Sequence, residues 1–414
     1  MAGEERFGDS QVCCDIDSGF EMMDKSLRCV QRGASLVDLL VGMAVALVTV
    51  LAITQVMVAS EAYKRTTTGG DDAQQNGAYS GLMLERYIRM GGSNFATISN
   101  AFGCPLNVYR SGALVMGTDA EGSNASSSYP EPFKTVIDFN LLLSPVIVKQ
   151  GDAIDTIIVM SGQHPSIAKA LSPTLIGSGS LSKVAFASKM GINEITDSAS
   201  VTQHDLLLGV DQDRVAGSAS CDIAEAVSIE DKEYTENGVK VIYSTVSLTG
   251  TGMKYTGASA FNSYTKSSLV ADLGPSPHFL AFTVGSDGVS SDALLSYDML
   301  ANSMQSLSDG VVALKALYGV ADSATNPVVS SWVKPEGDWA AGNLVADTIL
   351  RMRALRLAVV ARNSQREKTE VSPEKLTLFS DAASIEITVP DRYYRYKVFD
   401  LTIPLRQMTN MTRN

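Results

Sequence analysis

Histidine is scarce in this chain of 414 residues, and its scarcity bears on metal chemistry. The three histidines are His164, His204 and His278, and none stands at a ligand spacing from a cysteine. A structural zinc site needs four such ligands in a local pattern. We therefore expect no metal centre and place the histidines at the surface or at strand ends.

Nucleotide-binding and nucleic-acid-binding signatures are also missing. The sequence has no Walker loop and no glycine-rich dinucleotide fingerprint. Its net charge is −12, and no basic patch indicates a polyanionic partner. We expect neither a cofactor nor a nucleic-acid partner.

A catalytic constellation is lacking as well. Ser-x-x-Lys occurs at Ser166–Lys169, Ser180–Lys183 and Ser263–Lys266, but Ser-Asp-Asn and Lys-Thr-Gly elements do not accompany it. Three such matches are background in a serine-rich chain. Asp211-Gln212-Asp213 begins like a calcium loop but lacks the closing glutamate, so a solvated turn is the better interpretation. We expect that the chain is not an enzyme.

Charge is absent from Leu39 to Ser60, a run of 22 residues between Asp38 and Glu61. A helix of this length just crosses the ~30 Å hydrocarbon layer of a membrane. Three basic residues precede the run: Lys25, Arg28 and Arg32. They predict a cytoplasmic N-terminus.

The start of the run, Gly33-Ala34-Ser35-Leu36-Val37-Asp38, resembles the class III signal of type IV prepilins. In that family a peptidase cuts after the glycine, so the resemblance implies removal of residues 1–33 and an N-methylated Ala34. It also implies that Asp38 pairs with the new α-amino group of a neighbouring subunit. The family usually has Phe and Glu where Ala34 and Asp38 stand. A start at Met22 or Met23 instead of Met1 would shorten the leader.

Two other interpretations of this segment exist. A secretory signal peptide has a shorter apolar region that ends in a small-residue cleavage site. A generic single-pass anchor is the stronger alternative, since it requires only the apolar run.

The cysteines fall on both sides of the expected cleavage site after Gly33. Cys13, Cys14 and Cys29 fall within the leader, which leaves Cys104 and Cys221 in the mature chain. Oxidising conditions on the exported side favour a disulfide between them. Two unpaired buried thiols are the alternative.

The pattern then predicts one long helix over residues 34–92, which contain no proline. Gly69-Gly70 is a plausible break or kink, Asp71–Met90 resumes the helical pattern, and Gly91-Gly92 ends it. One stripe is expected to pack on a globular core: Tyr79, Met83, Tyr87 and Met90.

Short β segments separated by turn signals such as Asn237-Gly238 and Asp287-Gly288 follow this helix. They favour antiparallel sheets over a βαβ array. The predicted segments are 135–139, 145–148, 156–160, 205–210, 224–229, 240–248, 279–284, 293–297, 311–320, 354–361, 376–379, 385–389 and 394–405. A short helix is expected within Gly337–Arg353.

Motifs along the mature chain resemble the PilW family of minor pilins. They are Asn76-Gly77, Arg86–Gly92, Phe102-Gly103-Cys104, Asp205–Val210 with Cys221, Asp309-Gly310-Val311, Tyr318-Gly319-Val320, Trp332, Trp339, Arg356–Arg362, Arg395, Phe399 and Leu405-Arg406. The stretches 161–198 and 250–276 match little and are interpreted as insertions.

The resemblance implies an α+β, pilin-like fold, in which a long N-terminal helix with a transmembrane half and an amphipathic half packs on a head of antiparallel sheets at 93–414. It implies a minor pilin that promotes assembly near the pilus tip. The head would lie in the periplasm before assembly and on the pilus afterwards. The expected partners are minor and major pilins, prepilin peptidase, the inner-membrane assembly platform and, as a further candidate, a tip adhesin. A J-like pseudopilin of type II secretion and an anchored periplasmic enzyme are the alternative functions.

Overall fold

The computed structural model describes residues 35–96, 98, 101–118, 124–163, 173–175, 183–186, 205–210, 221–236, 238–248, 255 and 269–411. The chain divides into two compact units, Met1–Ala62 and Tyr63–Asn414. The described part of the first unit is an apolar helical segment. The second unit contains the rest of that helix and a head rich in antiparallel β-sheet.

Helix α1 covers Leu36–Met90. Short helices α2 (Phe133–Val136), α3 (Ala346–Leu350) and α4 (Arg406–Met411) and two 3-10 turns (Ala125–Ser128 and Gly337–Trp339) lie in the head. The first ten strands within the described residues are β1 Leu106–Arg110, β2 Ala113–Met116, β3 Val146–Lys149, β4 Thr156–Ser161, β5 Pro173–Leu175, β6 Lys183–Phe186, β7 Leu206–Val210, β8 Cys221–Glu225, β9 Ser228–Glu236 and β10 Val239–Ser247. The next ten are β11 Leu269–Gly274, β12 His278–Gly285, β13 Ala293–Asp298, β14 Ser303–Asp309, β15 Val311–Val320, β16 Ser331–Val333, β17 Met352–Arg362, β18 Lys375–Leu378, β19 Ile385–Thr388 and β20 Tyr396–Pro404.

The strands form five sheets. Their orders are β11-β7-β8-β1-β2, β5-β6-β10-β9, β14-β13-β12-β4-β3, β16-β15-β17-β20 and β18-β19. Among the described strands, every pair is antiparallel except β1 with β8. Since β12 and β15 are buried along almost their whole length, the main core lies between their two sheets. The structure therefore confirms an α+β protein with antiparallel sheets.

Helix α1 packs on strand β20 through small residues. Its buried positions recur about every four residues: Gly69, Ala73, Gly77, Gly81, Leu84 and Ile88. A Cβ atom added at Gly77 would lie 2.0 Å from Cε2 of Phe399, and one at Gly81 would lie 2.5 Å from Cδ1 of Leu401. The strand approaches the helix so closely because these positions carry no side chain.

This packing corrects two details of the sequence prediction. Of the break or kink predicted at Gly69-Gly70, the break is wrong, because α1 continues through both residues, whereas the kink stays a prediction. Gly69 instead makes room for Asn363, whose Nδ2 atom would lie 2.9 Å from an added Cβ. The predicted stripe packs on the core only in part: Tyr87 is half-buried against it, whereas Tyr79 is 42% exposed. The fully buried positions Leu84 and Ile88 lie beside this stripe.

Two further corrections concern the strands. The expected strand at 135–139 is replaced by α2, where Phe133 is buried and its ring lies 5.1 Å from that of Tyr297. The sequence analysis also missed β14, whose Ser-Met-Gln-Ser-Leu-Ser-Asp sequence has little apolar alternation. This edge strand is specified by its pairing with β13 more than by its own composition.

A buried ion pair joins the start of β4 to β15. Lys315 Nζ lies 2.6 Å from Asp155 Oδ1, and the two side chains are 2% and 0% exposed. The same ammonium donates to the carbonyl of Gly151 at 2.7 Å, while Asp155 Oδ2 accepts from the Ala316 amide at 2.9 Å. Burial raises the pKa of the Asp155 carboxyl, and the Lys315 charge opposes that rise.

Most of the two stretches interpreted as insertions lies outside the described residues. Strands β5 and β6 fall within the first stretch and β11 within the second. Since β11 pairs with β7, the second stretch contributes to a head sheet. The interpretation of these stretches as insertions stays a prediction.

Candidate functional site

The first turn of α1 carries the residue on which the prepilin hypothesis depends. Ser35 caps the helix: its Oγ accepts from the Val37 amide at 3.3 Å, and its carbonyl accepts from the Leu39 amide at 3.2 Å. Asp38 therefore stands at the third helical position, where a carboxylate interacts favourably with the helix dipole. Gly33 and Ala34 lie outside the described residues.

Asp38 is exposed, and among the described residues its side chain forms no hydrogen bond or ion pair. Two roles for the carboxylate are therefore compatible with its position. It can stabilise the start of its own helix by about 0.3–1 kcal/mol. It can also face a cation supplied from outside the chain, a stronger need inside a membrane, where an unpaired charge is costly.

The segment Leu36–Glu61 is the one helix among the described residues that is long and apolar enough to cross a membrane. Its large apolar side chains are all more than half exposed, from 52% for Leu51 to 76% for Leu36. Full burial of such a side chain is worth about 1.5–3 kcal/mol. Since exposure of this apolar surface to water is unfavourable, a helix of this length is stable when lipid or other helices surround it.

The hydroxyl groups of the two threonines in the segment are compatible with this environment. The hydroxyl of Thr49 donates to the carbonyl of Ala46 at 2.8 Å, and that of Thr54 donates to Leu51 at 2.9 Å. Both hydroxyl donors are satisfied inside their own helix, which lowers the cost of placing them in hydrocarbon. The segment can anchor the chain in a membrane.

The structure joins the two cysteines of the head. Cys104 and Cys221 form a disulfide across 117 residues, with their Cα atoms 5.7 Å apart and both residues fully buried. The Cys221 amide donates to the carbonyl of Pro105 at 2.8 Å, and Leu106 pairs with Cys221 in the parallel ladder of β1 and β8. The bridge therefore fastens the first strand after the helix to β8.

The other residues that the sequence analysis considered as metal ligands do not form a site within the described residues. His278 begins β12 and meets the ring of Tyr87 edge-on at 5.5 Å; burial lowers its pKa. His164, His204 and the Asp211–Asp213 segment lie outside the described residues. Within the described part of the chain, no group of three histidine, cysteine or acidic residues could hold a metal ion.

The sequence analysis missed the helix positions that join the helix to the head. The signal was present as small residues at four-residue spacing: Gly69, Ala73, Gly77 and Gly81. It was overlooked because glycine in a helix usually signals a break. Asn363 gave no signal, since its role depends on residues far apart in the sequence.

Comparison with known families finds one match. Residues 281–407 match the model of the family described as PilW, type IV pilus-assembly protein W. No curated protein and no solved structure gives a significant match.

The matched segment runs from within β12 to the start of α4. It includes β20, which packs on α1, and Lys315 of the buried ion pair. Over residues 281–407, this chain is similar to the PilW family of type IV pilus-assembly proteins.

Proposed function

We propose that this chain is a minor pilin of a type IV pilus, which assembles with other pilins near the tip and promotes pilus assembly. The observation that carries the proposal is the exposed apolar segment Leu36–Glu61, in a chain whose C-terminal part matches a pilus-assembly family. Such a helix is stable in lipid before assembly and among the helices of other subunits afterwards. The chain's role is structural, without a catalytic step.

The cleavage after Gly33, implied by the prepilin resemblance, would place a new amino group at Ala34, four residues before Asp38. In a helix that amino group lies within about one turn of Asp38 of the same chain. A neighbouring subunit displaced along the filament could instead place its amino group against the exposed carboxylate. Charge pairing of this kind offsets the cost of both charges in an apolar environment and fixes the axial register of two subunits.

Substitutions at Asp38 test this role. We expect Asp38→Ala to be exported and processed normally but to be depleted from sheared filaments, because the amino group of a neighbour is left unpaired. Asp38→Glu, which keeps the charge, should restore incorporation. Processing is measured by the mobility of the chain in membrane fractions, and incorporation by its amount in the filament fraction.

Glu61 provides the matched control, since it is an exposed carboxylate at the opposite end of the same apolar segment. Glu61→Ala should enter filaments at the unsubstituted level. Equal incorporation of Asp38→Ala and Glu61→Ala would contradict the assigned role of Asp38. A chain that is membrane-bound and never enters filaments would contradict the minor-pilin proposal itself.

A further inference from the structure

Two segments of the head place arginine and tyrosine side chains together. Arg366 lies over the ring of Tyr393 at 3.9 Å, and Arg362 lies over the ring of Tyr394 at 4.4 Å. Neighbouring positions add two more arginines. We call this cluster the collar: Arg362, Arg366, Arg392, Tyr393, Tyr394 and Arg395.

The collar combines cations and carboxylates. Arg366 pairs with Asp391 at 3.1 Å, and Arg392 pairs with Glu370 at 2.7 Å. Likewise, Arg395 pairs with Glu367 at 3.0 Å, and Arg362 pairs with Asp292. The side chains of Arg366 and Arg392 remain 53% and 43% exposed. The surface is therefore close to neutral, and the guanidinium groups of Arg366 and Arg392 are open to a partner, while the half-buried rings of Tyr393 and Tyr394 lie beneath arginines.

Asn363 fixes the collar beside helix α1. The backbone amide of Asn363 donates to the Arg395 carbonyl at 3.0 Å. Its side-chain Oδ1 accepts from the backbone amide of Arg395 at 2.9 Å. Its side chain also lies against Gly69. Ser364 donates to Asp72 at 2.9 Å, which adds a second contact with the same stretch of helix.

The stretch of α1 beside the collar follows directly after the apolar segment. Only seven residues lie between Glu61, the last residue of that segment, and Gly69. The eight residue steps from Glu61 to Gly69 rise about 12 Å as a helix and reach at most roughly 28 Å fully extended. The polar layer of a membrane adds about 5–8 Å beyond the hydrocarbon on each side. Chain length alone therefore keeps Gly69, and the Asn363 side chain that packs on it, within roughly 28 Å of the end of the apolar segment.

The residues between these points have the character of a membrane interface. Tyr63 is 78% exposed, and the exposed Lys64 follows it. Tyrosine is enriched where membrane and water meet, because its ring lies among the headgroups while its hydroxyl stays hydrated. The collar repeats this chemistry on the head.

We propose that the collar binds phospholipid headgroups of the membrane that the chain's own apolar segment enters. This inference rests on the proposed membrane anchoring. The guanidinium groups of Arg366 and Arg392 donate to lipid phosphate oxygens. Two neighbouring N–H groups of a guanidinium fit the spacing of two oxygens of one phosphate. Tyr393 lies at the headgroup level. The head is thereby held against the membrane surface before the subunit is taken into a filament.

A photo-crosslinking residue at position 393 tests the proposal in the full chain. Tyr393→p-benzoylphenylalanine is reconstituted into phosphatidylcholine liposomes, isolated by flotation, irradiated and examined by mass spectrometry for lipid adducts. Arg392→p-benzoylphenylalanine provides a second probe in case the first variant does not fold.

Val328 provides the matched control. It is 63% exposed on the loop after β15, a loop whose carbonyls of Ala324 and Asn326 accept hydrogen bonds from Arg353. Arg353 and Arg362 stand at opposite ends of β17, nine residues or about 30 Å apart. Val328→p-benzoylphenylalanine therefore probes the far end of the same sheet.

We expect lipid adducts at position 393 at least ten times more abundant than at position 328. Liposomes that float with the protein but give equal adduct yields at the two positions would overturn the collar proposal and leave the anchor intact. Adducts at position 393 to a second copy of the chain, in place of lipid, would also overturn it. Failure of the unsubstituted chain to float would refute the membrane anchoring and the collar proposal with it.

Discussion

Because α1 packs on β20, replacing glycine by alanine should change the free energy of unfolding in opposite directions at two positions of this helix. Gly70 has no atom within 4 Å of an added Cβ, whereas the same atom at Gly77 would lie 2.0, 2.5 and 2.8 Å from three ring atoms of Phe399. Replacing glycine by alanine in a helix interior stabilises it by about 1 kcal/mol. Gly70→Ala should therefore stabilise the head by about 1 kcal/mol.

Gly77→Ala gains the same helix propensity but must displace an aromatic ring. Overpacking of a core costs about 1–3 kcal/mol, and a contact of 2.0 Å belongs at the upper end of that range. The net expectation is a loss of about 2 kcal/mol, and therefore a difference of about 3 kcal/mol between the two variants. Gly81→Ala should cost less, because it meets only the flexible end of Leu401.

Equilibrium urea unfolding of the full chain in detergent measures these differences. The fluorescence of Trp332 and Trp339, both in the head, reports the transition. In the Phe399→Leu background, Gly77→Ala should cost less than it does alone, since the ring it meets is gone. Equal stabilisation by Gly70→Ala and Gly77→Ala would refute the docking of this helix on β20.

Three further predictions concern the interior and one turn of the head. Cys104→Ser should lower the free energy of unfolding by up to about 5 kcal/mol, the loop-entropy value for a bridge over 117 residues, as measured by urea unfolding with and without reductant. Asp155→Asn should cost about 3–5 kcal/mol because it leaves Lys315 charged and buried, whereas Asp155→Leu combined with Lys315→Met should cost much less in the same assay. Amide hydrogen bonds lower the pKa of Asp287, so its contribution to stability is present above its unfolded pKa and is lost as pH falls through the lower folded pKa; Asp287→Ala should remove this part of the acid dependence of unfolding.

The predictable parts of this protein are those with a strong local pattern. The long uncharged run predicts a helix, and strands such as Val311–Val320 and Met352–Arg362 are mostly apolar segments. The antiparallel pairing of β12 with β13 follows from a short connection that contains the turn residues Asp287-Gly288. The even number of cysteines after the apolar run indicated a bridge, which the structure contains.

The details that failed depend on contacts between distant residues. Gly69 has the local signature of a helix break, but the helix continues through it, and the close approach of Asn363 accounts for the absence of a side chain there. Strand β14 depends on its neighbour β13 for its conformation. The collar combines residues near 365 with residues near 393, and no pattern within either segment predicts their meeting. Sequence periodicity describes single elements, whereas these features belong to pairs of elements.

The central claim is that the apolar N-terminal helix enters a filament after proteolysis has removed the leader that precedes it. N-terminal sequencing of the protein recovered from sheared surface filaments tests it most directly. The proposal predicts a single N-terminus at Ala34 with a methylated amino group. An intact leader on the chain, or its absence from the filaments, would contradict it.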